Sequence, residues 1–183
     1  MKFKPLSIAD LILVEPSLHK DERGYFVETF RQDLFEQTLG YKVNFVQDNE
    51  SYSTKGVLRG LHYQLPPYAQ AKLVRVITGT VLDVALDIRR ASPSFGQHAL
   101  VELSAENKHQ LYIPHGFAHG YVVLSESATF SYKVDNYYSP EFDRGIAFND
   151  PELNIDWKFS RGALEVSEKD KLHPFLSSAI DIF

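Results

Sequence analysis

The 183-residue chain has no cysteine and only one methionine and one tryptophan. Without cysteine there are no disulfides and no thiolate metal sites, so the fold has to stand on its core and its hydrogen bonds. No stretch has the length and apolarity of a membrane span, and Met1-Lys2-Phe3-Lys4-Pro5 lacks the apolar core and small-residue cleavage site of a secretory leader. An excess of positive charge is missing as well. The 19 Lys and Arg against 24 Asp and Glu leave a formal charge of -5, which excludes a general nucleic-acid backbone binder but not a local cation cluster for a phosphorylated small molecule. Repeats, linkers and low-complexity tracts are absent, so residues 1–183 are expected to form one domain. The expectation is a soluble cytoplasmic protein with neither a membrane nor a nucleic-acid partner.

What is present is strand-forming sequence with enough apolar and aromatic side chains (44% and 13%) to bury a core. Leu11 to Glu15 reads as a short strand closed by Pro16, Asp21-Glu22-Arg23-Gly24 as a turn, and Tyr25 to Phe30 as a second strand with Glu28 on the face of Phe26 and Phe30. Leu34, Phe35 and Leu39 have helical spacing, and Gly40 suits the left-handed position beyond a helix end, so Gln32–Leu39 is expected to be helical. Val43 to Gln47 resumes strand character, and Asp48-Asn49-Glu50-Ser51 reads as a turn or a row of ligand hydrogen-bonders, the turn being preferred. Leu73–Ile77 and Val81–Ile88 flank Thr78-Gly79-Thr80 in the pattern of a hairpin. Further strands follow at 97–103, 110–113, 120–124 and 128–134. Regular short strands separated by turns point to an all-β sandwich or barrel, with a jelly roll preferred.

Several polar residues fall where chemistry is possible. Val57-Leu58-Arg59-Gly60-Leu61-His62-Tyr63-Gln64 is a strand holding one cation and one imidazole; strict alternation separates Arg59 from His62, and a bulge at Gly60, or a pocket rim reached by Arg59, is expected if both serve one ligand. Pro114-His115-Gly116-Phe117-Ala118-His119-Gly120 reads as a loop rimming a pocket. Its histidines raise the question of a metal, but a durable site needs about three or four donors, and the second residue after His62 is Gln64 instead of another histidine. Tyr132 shares a face with Ala128, Phe130 and Val134. It is either a hydrogen-bonded core tyrosine or, protonated at neutral pH, a proton donor. Ser167-Glu168-Lys169-Asp170 resembles a helix capping box with aspartate in place of glutamate; alternatively Asp170 reaches His62 from a C-terminal segment folded back over the sheets.

Ordered blocks over most of the chain add a resemblance. They are Asp21-Glu22-Arg23-Gly24, Phe45-Val46-Gln47-Asp48-Asn49, Val57 to His62, Lys72-Leu73-Val74-Arg75, Leu103 to Lys108, Ile113 to Gly120 and Asn136-Tyr137-Tyr138-Ser139-Pro140. Together they are similar to the dTDP-4-dehydrorhamnose 3,5-epimerase family, which has the cupin-type jelly-roll barrel, here expected with short peripheral helices. The resemblance implies an isomerase that takes dTDP-4-dehydro-6-deoxy-D-glucose to dTDP-4-dehydro-L-rhamnose in dTDP-L-rhamnose biosynthesis, with no cofactor and no metal, as a homodimer. It maps the base onto His62, its dyad partner onto Asp170 and the acid onto Tyr132. Substrate contacts map onto Arg23, Glu28, Gln47, Asp48, Asn49, Arg59, Lys72, His119 and Lys169, with Tyr138 stacking on the base and Asp143 standing where relatives commonly carry glutamate. The alternatives are an epimerase acting at one carbon only, and a non-catalytic or metal-binding cupin.

Overall fold

Two mainly antiparallel β-sheets lie face to face, and alternation along their strands divides the apolar residues between three cores. The computed structural model describes residues 1–8 and 10–183. In chain order the elements are β1 (Lys2–Pro5), β2 (Ile12–Glu15), β3 (Leu18–Asp21), β4 (Gly24–Val27), α1 (Gln32–Leu39), β5 (Gln47–Thr54), β6 (Val57–Gln64), β7 (Lys72–Thr78), β8 (Thr80–Asp87), β9 (His98–Ser104), β10 (Gln110–Ile113), β11 (Phe117–Val123), β12 (Ser127–Val134), β13 (Asp143–Gly145), β14 (Glu165–Val166) and α2 (Glu168–Lys171). The first sheet has the order β1-β2-β10-β7-β12-β5, the second β13-β6-β11-β8-β9 with β14 alongside β6, and β3–β4 is a separate ribbon. This is a jelly roll.

The central core lies between the sheets and joins Val74, Val76, Leu111 and Phe130 of the first to Val81, Ala85, Leu103 and Tyr121 of the second. Residues of opposite parity point outwards and are buried too. Leu58, Leu61, Leu82, Val84 and Val122 on the outer face of the second sheet are covered by Leu153, Trp157, Val166 and Ala179 of the C-terminal region. Helix α1 covers the outer face of the first sheet, placing Phe35 against Phe3, Phe30, Phe45 and Tyr112 at ring separations of 5.2–6.3 Å. Burial on that scale contributes about 1.5–3 kcal/mol for one phenylalanine. The helix ends at Gly40, whose φ of 75° lets its N–H reach Glu36 O at 2.9 Å.

Five expectations about local structure are corrected. Asp48 to Ser51 is not a turn but part of β5, paired with β12 along its length; the polar side chains have a cross-strand partner at every position, which single-strand reading cannot see. Of Val43 to Gln47, expected as strand, residues 43–46 are irregular and only Gln47 belongs to β5. Thr78-Gly79-Thr80 does not close a hairpin: β7 pairs with β10 and β12, β8 with β11 and β9, so the turn carries the chain from one sheet to the other. Its glycine is still required, with φ 79° and a Cβ that would lie 2.1 Å from Ser127 O. The presumed loop 114–120 shrinks to Pro114–Gly116, because β11 begins at Phe117 and takes His119 into the sheet. The strand expected over 25–30 stops at Val27.

Candidate active site

Between the sheets the central core gives way to a cavity of about 650 Å³, within the range of small-molecule sites. Strand β6 supplies its wall through the irregularity at Gly60. The pairing of β6 with β11 shifts register between His119 and Tyr121, and Gly60 has φ 125° with room for no Cβ, which would meet Gly120 Cα at 2.5 Å. The slip sets the parity. Leu58 and Leu61 both enter the outer core, and Arg59 and His62 both line the cavity.

His62 Nε2 lies 2.8 Å from Asp170 Oδ1. Asp170 is delivered by the C-terminal segment: β14 runs parallel to β6, with Glu165 opposite Val57 and Val166 opposite Leu58, and α2 follows at once. Both sequence readings of this residue hold. Ser167 Oγ caps α2 by accepting from the Asp170 N–H at 3.1 Å, while the Asp170 carboxylate turns to His62 and to the Gly60 N–H at 3.2 Å. Burial pushes the Asp170 carboxyl up, but the imidazoles of His173 and His62 and the Gly60 N–H outweigh it, holding the group well below the usual carboxylate range. An ionised carboxylate only accepts, so the shared proton is on His62 Nε2. The lone pair of neutral His62 is therefore on Nδ1.

Other groups converge on the same space. Lys72 reaches it from β7, its ammonium 3.4 Å from His62 O, and burial pulls its pKa down to about 8 against the opposing pull of Asp143 and Asp83. His119 of β11 is buried, bonded to Asp83 at 2.9 Å, and its pKa is lowered by burial. Asp83 Oδ1 has no hydrogen-bond partner among the described residues. Tyr132 enters from β12, and burial raises its phenol above the ordinary value, so it stays protonated at neutral pH. Arg59 Nε donates to Ser53 Oγ at 3.0 Å. The reading of the sequence missed Ser53, Tyr121 and Phe130 and preferred a turn for Ser51; all four line the cavity. Tyr121 stacks on Phe130 at 4.1 Å and its hydroxyl is 2.8 Å from Ser51 Oγ. Their signal was present as parity with Tyr132, once β5 is known to be a strand.

Of the expected site residues, His62, Asp170, Tyr132, Arg59, Lys72 and His119 line one cavity. Tyr138, Asp143 and Lys169 form a cluster beside it: the Lys169 ammonium and the Tyr138 hydroxyl both bond Asp143 Oδ2. Gln47 and Asn49 lie on the inward parity of β5, bonded to each other at 2.8 Å, with Asn49 opposite Tyr132. Asp48 points to the other face and pairs with Lys133 at 2.9 Å. Arg23 and Glu28 stand apart at the β3–β4 ribbon; Arg23 bonds Asp21 at 2.5 Å and Glu28 lies 3.7 Å from Arg31. His115 pairs with Asp135 outside the cavity. Among the described residues, one cluster of potential metal donors is found: His62, Asp170 and His173, with ligand atoms within 4.8 Å of one another. Two of those donors already share a proton.

Residues 5–178 match the family model described as dTDP-4-dehydrorhamnose 3,5-epimerase. The chain is 57% identical over 163 residues to the dTDP-4-dehydrorhamnose 3,5-epimerase of Shigella flexneri, covering 89% of each chain. Its fold is similar to the crystal structure of the enzyme of that name from Elizabethkingia anophelis NUHP1, with a TM-score of 0.93, 50% identity and 97% of each chain covered. It is equally similar to a dTDP-6-deoxy-D-glucose-3,5-epimerase from Legionella pneumophila Philadelphia 1 in complex with dTDP-4-keto-L-rhamnose, with a TM-score of 0.92, 48% identity, and 97% and 93% of the two chains covered. The architecture is thus the cupin-type jelly roll. No helix among the described residues is long and apolar enough to cross a membrane.

Proposed function

Because the chain belongs to the dTDP-4-dehydrorhamnose 3,5-epimerase family, and so to the isomerases, we propose that it inverts C3 and C5 of dTDP-4-dehydro-6-deoxy-D-glucose, giving dTDP-4-dehydro-L-rhamnose. Both carbons adjoin the C4 ketone. His62 Nδ1 takes the proton from one face, the C–H electron pair moves into an enolate on the C4 oxygen, and the Tyr132 hydroxyl returns a proton to the opposite face. Solvent exchange then resets imidazolium and phenolate. Lys72 and His119 stabilise the enolate oxygen, and Arg59 holds the diphosphate. Asp170 fixes the His62 tautomer and balances its charge when protonated.

The observation that carries this reading is the His62–Asp170 hydrogen bond of 2.8 Å at the edge of a cavity that Tyr132 also lines. In this reading residues 1–183 act as one cytoplasmic domain and need no cofactor or metal. Tyr138 stacks on the nucleotide base, with Asp143, Lys169, Gln47, Asp48 and Asn49 around the nucleotide. Arg23 and Glu28 serve a partner's cavity. They sit on a two-stranded ribbon with Tyr25 56% and Phe26 66% exposed, and such a ribbon is marginal in water unless something covers it, here a second copy in a homodimer.

The test is proton NMR of the substrate in deuterated water with metal-stripped protein, coupled to a reductase that traps the L-sugar. Deuterium at both carbons with trapped L-product is expected. Label at one carbon makes the protein a mono-epimerase, and label at neither rejects catalysis. Light scattering on the same sample is expected to give twice the chain mass.

A further inference from the structure

His173 follows Asp170 by one helical turn, and the proposed reaction gives it no role. Its side chain is 11% exposed, and its Nε2 is buried with no hydrogen-bond partner. That nitrogen points at Asp170 Oδ1 from 3.6 Å, towards the same oxygen that His62 Nε2 engages at 2.8 Å. The two imidazoles meet edge to face, centroids 5.6 Å apart and planes at 80°. The fold makes room for this ring. Gly145 pairs with His62 across β13 and β6, and a Cβ there would lie 2.4 Å from His173 Cδ2 and Nε2. Gly145 is not among the glycines with positive φ, so its missing side chain answers to the imidazole and not to the backbone.

Resting on the reading of His62 as the base, we propose that His173 is a positioning residue that shares the Asp170 carboxylate with it, so that only one of the two rings is protonated at a time. One carboxylate matches one cation. When His62 accepts a proton from substrate, a neutral His173 leaves Asp170 free to pair with it; when His173 is charged, it repels a second charge on His62. The two rings therefore compete for one carboxylate oxygen. The other charged and titratable groups packed around them have partners of their own. Arg144 pairs with Asp181, whose carbonyl takes the Tyr63 hydroxyl; Lys169 pairs with Asp143, and His119 with Asp83. Lys72 lies on the far side, against the His62 carbonyl. His173 is thus the group that competes for Asp170 and that the substrate does not need to touch.

The experiment compares wild type with His173→Phe, which fills the space but cannot share a proton, and His173→Gln, which keeps a neutral N–H donor. Imidazole resonances of the free protein are titrated by NMR, and kcat/KM for deuterium wash-in is followed against pH. In His173→Phe the His62 midpoint is expected to rise by roughly 0.5–1 pH unit, on the scale of a lost neighbouring charge. The acid limb of kcat/KM should move to higher pH with it, and His173→Gln should lie between. An unchanged His62 midpoint in folded His173→Phe, or a rate lowered equally at every pH without a shift, overturns the proposal. If the Phe variant does not fold, an unshifted His173→Gln does the same. The NMR titration needs no substrate, so coupling can fail while His62→Ala still abolishes exchange, which separates this failure from that of the base assignment.

Discussion

His62 meets Asp170 at 2.8 Å and His115 meets Asp135 at 2.9 Å, two pairs of the same chemistry and nearly the same length. Their surroundings differ. Asp135 stitches the chain together, its other oxygen taking the Ala71 N–H at 2.7 Å, and the His115 ring is about half exposed, on a cavity where the hydroxyls of Tyr41 and Tyr112 bond each other at 3.0 Å. Asp170 is 5% exposed, and the ring it holds opens into a cavity with Lys72 and Tyr132. Length and identity of a His–carboxylate pair therefore say little about chemistry. Under the proposed roles, the enclosure of the pair is what distinguishes a base from a clasp.

The comparison breaks most sharply on a pair of alanine variants. His62→Ala is expected to lower deuterium wash-in at C3 and C5 by about 10²–10⁴-fold, the usual worth of a general base, with His115→Ala within twofold of wild type; similar losses in the two would erase the distinction drawn above. Tyr132→Phe sharpens it further, since wash-in should persist while trapped L-product falls by about 10²-fold or more. Equal loss of both signals would remove Tyr132 from the reprotonation step.

Lys72 offers a pH handle that the surface pair lacks. Because its pKa lies at about 8, below that of an ordinary lysine, the ammonium proposed to stabilise the enolate is lost as pH rises through that value, and kcat/KM should fall there. Tyr132 is shifted upwards and stays protonated across the same range. In Lys72→Arg, which remains charged to above ~12, this basic limb should vanish from the profile, and a limb that stays in place would exclude Lys72 as its source. Gly60→Ala should cost about 1–3 kcal/mol in urea unfolding through left-handed strain and a clash with Gly120. Breaking the surface pair with His115→Ala should cost the least, about 0–1 kcal/mol by the same measurement.

Much of this architecture was legible before the structure, but unevenly. The helix over 32–39 and its stop at Gly40 follow from local spacing and one backbone requirement, and both are found as read. The hairpin at 78–80 was misread because its signal, glycine between two apolar runs, is identical whether the chain turns within a sheet or crosses between two. Only the remote partners β10 and β11 decide that. A bulge at Gly60 was one of two ways, beside a pocket rim reached by Arg59, to bring Arg59 and His62 to the one substrate that the resemblance implied, and the register shift is found there. Asp170 was ambiguous between cap and dyad for a physical reason: its backbone does one job and its carboxylate the other. His173 was overlooked although it lies three residues beyond Asp170, the spacing that brings side chains together on a helical turn.

Asp170 lies 108 residues beyond His62 in sequence, on the segment that β14 zips onto the edge of β6. A ribosome emits the chain from the other end. By the time β12 has been made, the imidazole, the phenol and the buried ammonium all exist, yet nothing holds the imidazole in its working tautomer. Under the proposed roles, catalytic competence arrives last and at one stroke, when the tail docks. Under those roles a chain without residues 165–183 would lose β14, the Val166 and Ala179 cover of the outer core and the Asp170 carboxylate together, and is expected to be inactive.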